Sequence, residues 1–206
     1  MIAIIDYDAG NIKSVEKAFQ YIGEDTVLTR DYHILKQADR VVLPGVGSFG
    51  DAMEKLERYD LISPIQEIVD AKVPFLGICR GLQVLFRSSD ESKGVKGLSL
   101  VDGEIVKIPD KEGLKIPHMG WNNISIKPGA RLFEGILGEP YVYFVHSYYL
   151  DADHKEEVAA TTQYSVTIDA SIEKNNLFAC QFHPEKSGDV GLQILRNFAN
   201  MGKEDF

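Results

Sequence analysis

The stretch Pro74-Phe-Leu-Gly-Ile-Cys-Arg-Gly-Leu-Gln-Val-Leu-Phe86 leaves few ways for the surrounding chain to fold. An apolar run, residues 75–78, reads as a buried strand, and a helical pattern begins near Leu82. Between them lies a Gly-x-Cys-x-Gly crossing, Gly77 to Gly81. That is the outline of a nucleophile elbow, a sharp strand-to-helix turn that lifts one side chain clear of a sheet. Its glycines let strand and helix approach where a Cβ would collide. A helix N-terminus after Cys79 would present free N–H groups, which favour thiolate over thiol. On spacing alone the alternative stays open: a cysteine in an apolar run is often a small buried hydrophobe. Cys180, in Leu177-Phe-Ala-Cys-Gln-Phe182, has no glycine frame and no following helix, and is expected in the core.

An elbow needs a sheet, and the flanking pattern supplies one. Residues 2–5 read as a strand, 12–22 as a helix, 27–28 as a strand, and 34–38 as a short helix or turn. A third strand over 40–44 runs into Gly45-Val-Gly-Ser-Phe-Gly50, and helices follow over 51–57 and 63–71. Strands alternating with helices predict a mostly parallel sheet covered on both faces, with ligands beyond the carboxyl ends of the strands. The loops after strands one, three and four should then share one rim. From Gly103 the texture changes to short runs at 104–108, 123–126, 141–145, 158–162, 166–172 and 178–182, which predict an antiparallel extension. A last helix is expected over 190–199. No repeat or linker divides the chain, so a single domain over 1–206 is expected, with 202–206 frayed.

The 22 Lys and Arg against 31 Asp and Glu leave a charge of −9 and no basic cluster, which argues against nucleic acid or an anionic membrane as a partner. No run approaches the roughly 18 apolar residues of a membrane helix. Two distant cysteines make no disulfide framework and the sequence opens directly on a strand, so a reducing cytoplasm is the expected location.

A cysteine nucleophile needs a base. Of the five histidines, only His183 has a second orienting group at hand, in Gln181-Phe-His-Pro-Glu185. Pro184 is expected to keep this segment extended, so that His183 and Glu185 face the same side and the carboxylate fixes the imidazole. The alternative is a surface histidine beside a solvated glutamate where a strand ends. An acyl-transfer reaction also needs oxyanion donors, usually backbone N–H groups. Arg80 N–H is one candidate and the Gly45-Val46-Gly47 segment, through Val46 and Gly47, another, although short Gly-x-Gly loops are common in ordinary βα turns.

Pro44-Gly-Val-Gly47, Gly77-Ile-Cys-Arg-Gly-Leu-Gln83 and His183-Pro-Glu185, in this order, resemble the class I, Cys-His-Glu glutamine amidotransferases. More narrowly, four segments look like the branch formed by the glutaminase subunits of imidazole glycerol phosphate synthases. They are Asp6-Tyr-Asp-Ala-Gly-Asn-Ile-Lys-Ser-Val15, Pro117-His-Met-Gly-Trp-Asn122, Val145-His-Ser-Tyr148 and Gln181-Phe-His-Pro-Glu-Lys-Ser187. The resemblance covers nearly the whole chain and implies a flavodoxin-like fold. It implies hydrolysis of L-glutamine through a Cys79 glutamyl thioester, with His183 as base and Glu185 as its orienting group. It places Gly45, Gly47, Gln83, Glu91, Ser147 and Tyr148 around the glutamine, with Glu91 suited to the α-ammonium. It implies no metal and no cofactor. It further implies that ammonia passes to a separate (β/α)₈ cyclase subunit in a heterodimer of histidine biosynthesis, with Asn11, Met119, Trp121 and Lys186 near the interface. His118 and His146 are read as structural or interface residues. Coupling of the glutaminase to the partner is implied too, with the Val46 peptide as the moving element. Other readings are a related glutaminase feeding a different synthase, an inactive partner-binding subunit, and a cysteine peptidase. One position departs from the pattern: Arg80 stands where the family usually has leucine, and its side chain is expected to point to solvent or the partner rather than activate the thiol.

Overall fold

Short apolar runs in which every residue is buried are the signature of strands covered on both faces. Ile2–Ile5 and Phe75–Ile78 are of this kind. The computed structural model describes residues 1–206. Its first half runs β1 (Ile2–Ile5), α1 (Ile12–Tyr21), β2 (Thr26–Thr29), α2 (Tyr32–Gln37), β3 (Arg40–Leu43), α3 (Phe49–Arg58), α4 (Ile62–Asp70), β4 (Phe75–Ile78) and α5 (Arg80–Gln83). The second half runs β5 (Gly103–Lys107), β6 (His118–Asn123), β7 (Ser125–Ile126), β8 (Tyr141–His146), β9 (Tyr148–Ala152), β10 (Val158–Gln163), β11 (Thr167–Lys174), β12 (Leu177–Cys180) and α6 (Gly188–Ala199).

The central sheet has the order β2-β1-β3-β4-β12-β11-β10-β7. From β2 to β12 all neighbours are parallel, and β12, β11, β10 and β7 then alternate in direction. A side branch, β5-β9, joins through β11. The two-residue period of the strands divides the core. Ala3, Ile5, Val41, Leu43 and Phe75 meet α2, α3 and α4 on one face. Ile2, Ile4, Val42, Leu76 and Ile78 meet α1 and α6 on the other. This is the α/β layering the sequence predicts, with the antiparallel part in the second half.

Two strands lie outside the predicted runs. β6, His-Met-Gly-Trp-Asn-Asn, carries its two apolar side chains on the exposed face, so no buried apolar alternation marks it, and it pairs along its whole length with β8. β9 follows β8 after the single residue Ser147. Where fraying is expected over 202–206, Lys203–Asp205 form a 3₁₀ turn and the Phe206 ring lies 5.9 Å from that of Phe178.

The register of β4 against β12 pairs Ile78 with Cys180, so Cys79 and Gln181 leave the sheet side by side. Two glycines permit the turn that follows. A Cβ on Gly77 would lie 2.7 Å from the Gly81 carbonyl oxygen, and one on Gly81 would lie 1.8 Å from the Leu43 carbonyl oxygen. Gly81→Ala should therefore force β3 and α5 apart and lower the unfolding free energy by about 1–3 kcal/mol. Urea denaturation measures this, and an unchanged midpoint would contradict the packing described.

Candidate active site

Cys79 ends β4 with φ 54° and ψ −105°, a conformation that costs energy for any residue with a Cβ. Its N–H donates to the Cys180 carbonyl at 2.7 Å, which ties the elbow to the neighbouring strand. The helix beyond it is one turn long, shorter than the sequence pattern suggests. The reason lies in the segment 97–101, whose N–H groups take the carbonyls the helix would have used: Leu98 N–H donates to Val84 O and Leu100 N–H to Leu85 O, both at 2.8 Å. A single turn supplies little macrodipole, so the charge environment of the sulfur has to come from side chains.

His183 and Glu185 meet as expected but not for the expected reason. Pro184 does not hold the segment extended; it occupies the first position of a 3₁₀ turn, Pro184–Lys186, where its missing N–H and fixed φ are no handicap. The turn brings His183 Nδ1 to 2.7 Å from Glu185 Oε1, with both side chains buried. Asn11, which follows β1 at φ 71°, donates from Nδ2 to the same carboxylate oxygen at 2.5 Å. It therefore supports this pair directly, a placement its expected interface role did not foresee. His183 Nε2 is buried without a hydrogen-bond partner, in the lining of the same cavity as the Cys79 sulfur. Burial works against charge on the ring, yet Cys79 and Glu185 raise its pKa to about 10. An imidazolium is thus favoured at neutral pH.

The sulfur and imidazole line a cavity of about 340 Å³ together with Val46, Gly47, Arg80, Gln83, Glu91, Ser147 and Tyr148. A larger hollow of about 580 Å³ along Lys72, Arg131 and Lys174 contains neither thiol nor imidazole. Gly45 is buried beneath the rim of the cavity, while Val46 and Gly47 are exposed on it. The N–H groups of Val46 and Gly47 donate to nothing within the protein. Arg80 N–H, the other expected oxyanion donor, is engaged by Gly45 O at 3.2 Å.

Arg80 also corrects an expectation. Its side chain turns inward and is only 11% exposed. The guanidinium donates to Gly47 O at 2.5 Å, to Gln83 Oε1, and to Glu91 at 2.8 Å. Three acceptors, one of them charged, offset the cost of burying it, which an outward orientation would have avoided at the expense of leaving Glu91 unpaired in the wall. Glu91 also accepts the Phe49 N–H at 2.7 Å. Its charge is thus balanced before any ligand arrives.

His146 lines the cavity and His118 stands behind it. His146 Nδ1 is 2.9 Å from Tyr148 O, so it carries the proton there, and its Nε2 accepts from His118 Nδ1 at 3.0 Å. His118 is stacked between Phe144 and Tyr164. Burial lowers the His118 pKa to about 4 and that of His146 to about 3, so both rings are neutral. His146 is thus a fixed part of the wall, and His118 is the packing behind it.

Met119 and Trp121 are 61% and 56% exposed. They project from the face of the β6–β8 ribbon opposite His118, and Trp121 lies edge-on to Tyr143 at 6.1 Å. Lys186 is exposed at the end of the 3₁₀ turn. Sequence reasoning missed two groups. The Tyr7 hydroxyl, buried and raised in pKa by that burial, donates to Pro44 O at 2.9 Å and ties the first rim loop to the second. Gln181 Nε2 lies 3.7 Å from the Cys79 sulfur. The one signal available for Gln181 is its position beside Cys79 in a parallel pairing that no local pattern discloses.

The chain matches the family described as glutamine amidotransferase class-I over residues 3–201. It is 52% identical to the imidazole glycerol phosphate synthase subunit HisH of Methanothermobacter thermautotrophicus, with 98% of each chain covered. It is 46% identical to the subunit of that name from Methanocaldococcus jannaschii, covering 98% of this chain and 100% of that one. Among solved structures, a glutamine amidotransferase shares the fold with a TM-score of 0.75 at 16% identity, over 97% of this chain and 100% of the other.

The histidines give a test. Nitrogen-detected NMR at pH 7 should show His183 as an imidazolium, and His118 and His146 as neutral rings protonated at Nδ1. Because the His183 value lies above the ordinary 6.5, its contribution to stability is fully present below about 6.5 and is lost as pH rises toward 10. The stability advantage of the parent over His183→Gln should therefore narrow across that interval; an advantage that widened would contradict the assignment.

Proposed function

The chain belongs to the class I glutamine amidotransferases and, among them, to the HisH subunits of imidazole glycerol phosphate synthase, and we propose that it hydrolyses L-glutamine to supply ammonia to a cyclase partner in histidine biosynthesis. The observation that carries this reading is the meeting of Cys79, on a strained elbow, with the buried His183–Glu185 pair in one small cavity.

In the proposed reaction the Cys79 thiolate attacks the side-chain amide carbon of glutamine. The tetrahedral oxyanion is held by N–H groups at Val46, Gly47 and Arg80. Collapse breaks the C–N bond as His183 gives its proton to the departing nitrogen, leaving ammonia and a glutamyl thioester. Water, deprotonated by His183, then attacks the thioester, and glutamate leaves with regeneration of the thiolate and the imidazolium. Glu185, steadied by Asn11, holds the ring through both steps. Gly45, Gln83, Ser147 and Tyr148 shape the pocket, and Glu91 receives the substrate α-ammonium in exchange for part of its pairing with Arg80.

The oxyanion site is half assembled in this state, because Gly45 O occupies Arg80 N–H. That supports a chain that is a poor glutaminase by itself and is activated when segment 44–47 rearranges on partner binding. For the partner we propose a (β/α)₈ barrel in a heterodimer, docked on the outer face of the β6–β8 ribbon at Met119 and Trp121, with Asn11 and Lys186 at the margin. Cytoplasmic residence accords with two free thiols. No helix is long and apolar enough to cross a membrane.

Two outcomes test the proposal. In the complex, Cys79→Ala should lower glutamate release by at least about a thousandfold while synthesis from added ammonium salt continues. Glutamate release that survived the substitution would refute the nucleophile. Trp121→Ala should weaken binding of the cyclase by about 2 kcal/mol, read as a roughly thirtyfold rise in Kd by calorimetry, without altering the fold; an unchanged Kd would remove Trp121 from the interface.

A further inference from the structure

The Cys79 sulfur has a neighbour that the triad does not use. Gln181 is completely buried at the end of β12 and directs Nε2 toward the sulfur. Its amide oxygen accepts from Gln83 Nε2 at 2.8 Å. Gln83 in turn donates from Nε2 to the Tyr148 carbonyl at 3.0 Å and accepts at Oε1 from Arg80.

The polarity of this chain follows from its fixed ends. A guanidinium has only donors, so the atom of Gln83 facing Arg80 is the oxygen. A carbonyl only accepts, so the atom facing Tyr148 O is the nitrogen. Both conditions give Gln83 the same orientation. Gln83 Nε2 can then pair with Gln181 only through oxygen, and what remains for the sulfur is the Gln181 NH₂. Inverting Gln181 would set two NH₂ groups against each other and an amide oxygen against the sulfur. The hydrogen bonds therefore all run one way, from a buried cation to the nucleophile, and each strengthens the next in a site of low dielectric.

We infer that Gln181 is a further catalytic residue that donates an N–H to the Cys79 sulfur, and that Gln83 and Arg80 are positioning residues that fix the direction of its amide. The inference rests on Cys79 being the nucleophile. The sulfur carries negative charge before it attacks and again when the thioester is cleaved, so a fixed donor serves both ends of the cycle. It also gives a function to the arginine that replaces the usual apolar residue: its charge acts on the sulfur through two amides, rather than by contact. This assigns Gln83, expected as a lining residue, a part in the sulfur's environment as well.

The test is the pH dependence of Cys79 alkylation by iodoacetamide, followed at that residue by mass spectrometry in the full chain. The titratable and charged groups around the sulfur are His183 with Glu185 behind it, Cys180 on β12, Tyr7 after β1, His146 on β8, and Arg80 with Glu91. All are retained in the Gln181 variants, so a displaced profile reports the amide. Gln181→Met, similar in size but without a donor, should move the midpoint up by about one to two pH units. Gln181→Asn keeps an amide but withdraws it from the sulfur by one methylene, and should shift the profile the same way should the Met variant not fold. Arg80→Leu should shift it in the same direction by less, because Tyr148 O still holds Gln83. Profiles of both Gln181 variants that coincide with the parent would overturn the inference. A shift confined to Arg80→Leu would overturn it too, by assigning the effect to the bare charge. Glutamate release by Cys79→Ala judges the nucleophile separately, since alkylation is read at the sulfur whether or not the chain turns over.

Discussion

The parallel pairing of β4 with β12 is the constraint on which the remaining site geometry depends. These strands are nearly a hundred residues apart in sequence, and their register sets Ile78 against Cys180. Everything beyond that pair is assembled by proximity: Cys79 hydrogen-bonds to Cys180, Gln181 reaches the sulfur, and His183 follows within a turn. A one-residue slip would exchange the two faces of β12, turning Gln181 and His183 away from the elbow. The burial of all four residues of each strand makes such a slip costly, so the core secures the chemistry.

The site is also an arrangement of charges that are balanced before substrate arrives. Arg80 is matched by Glu91, and the His183 imidazolium by Glu185. Burying either cation alone would be expensive. Paired, they give a pocket that is polar in detail yet close to neutral, a suitable host for an amino acid that is itself a zwitterion. The strain at Cys79, φ 54°, is held by hydrogen bonds on both sides of the turn.

Much of this was legible in the sequence. The four-residue apolar strands, the amphipathic helices between them and the glycine-framed cysteine each carry a local signal, and the structure has them within a few residues of the predicted bounds. What was not legible depends on distant partners. β6 has its apolar side chains on the exposed face and is organised by β8. The 3₁₀ turn at Pro184 gives the same His–Glu contact that an extended chain was expected to give, so the residues were identified by an argument whose geometry was wrong. The inward turn of Arg80 follows from Gly47 O, Gln83 and Glu91, acceptors contributed by three separate parts of the chain. Gln181 carries no motif of its own that points to the sulfur.

The ribbon of β6 and β8 has a consequence of another kind. Its residues alternate between an outer surface, with Met119, Trp121 and Tyr143, and an inner one, with His118, His146 and Phe144. The same few residues of backbone thus define both what the molecule shows to the outside and one wall of the cavity that holds Cys79 and His183. Inserting or deleting a single residue would swap the two, sending an indole into the core and an imidazole into water. The two surfaces can diverge by substitution, side chain by side chain, but they cannot change length or phase independently.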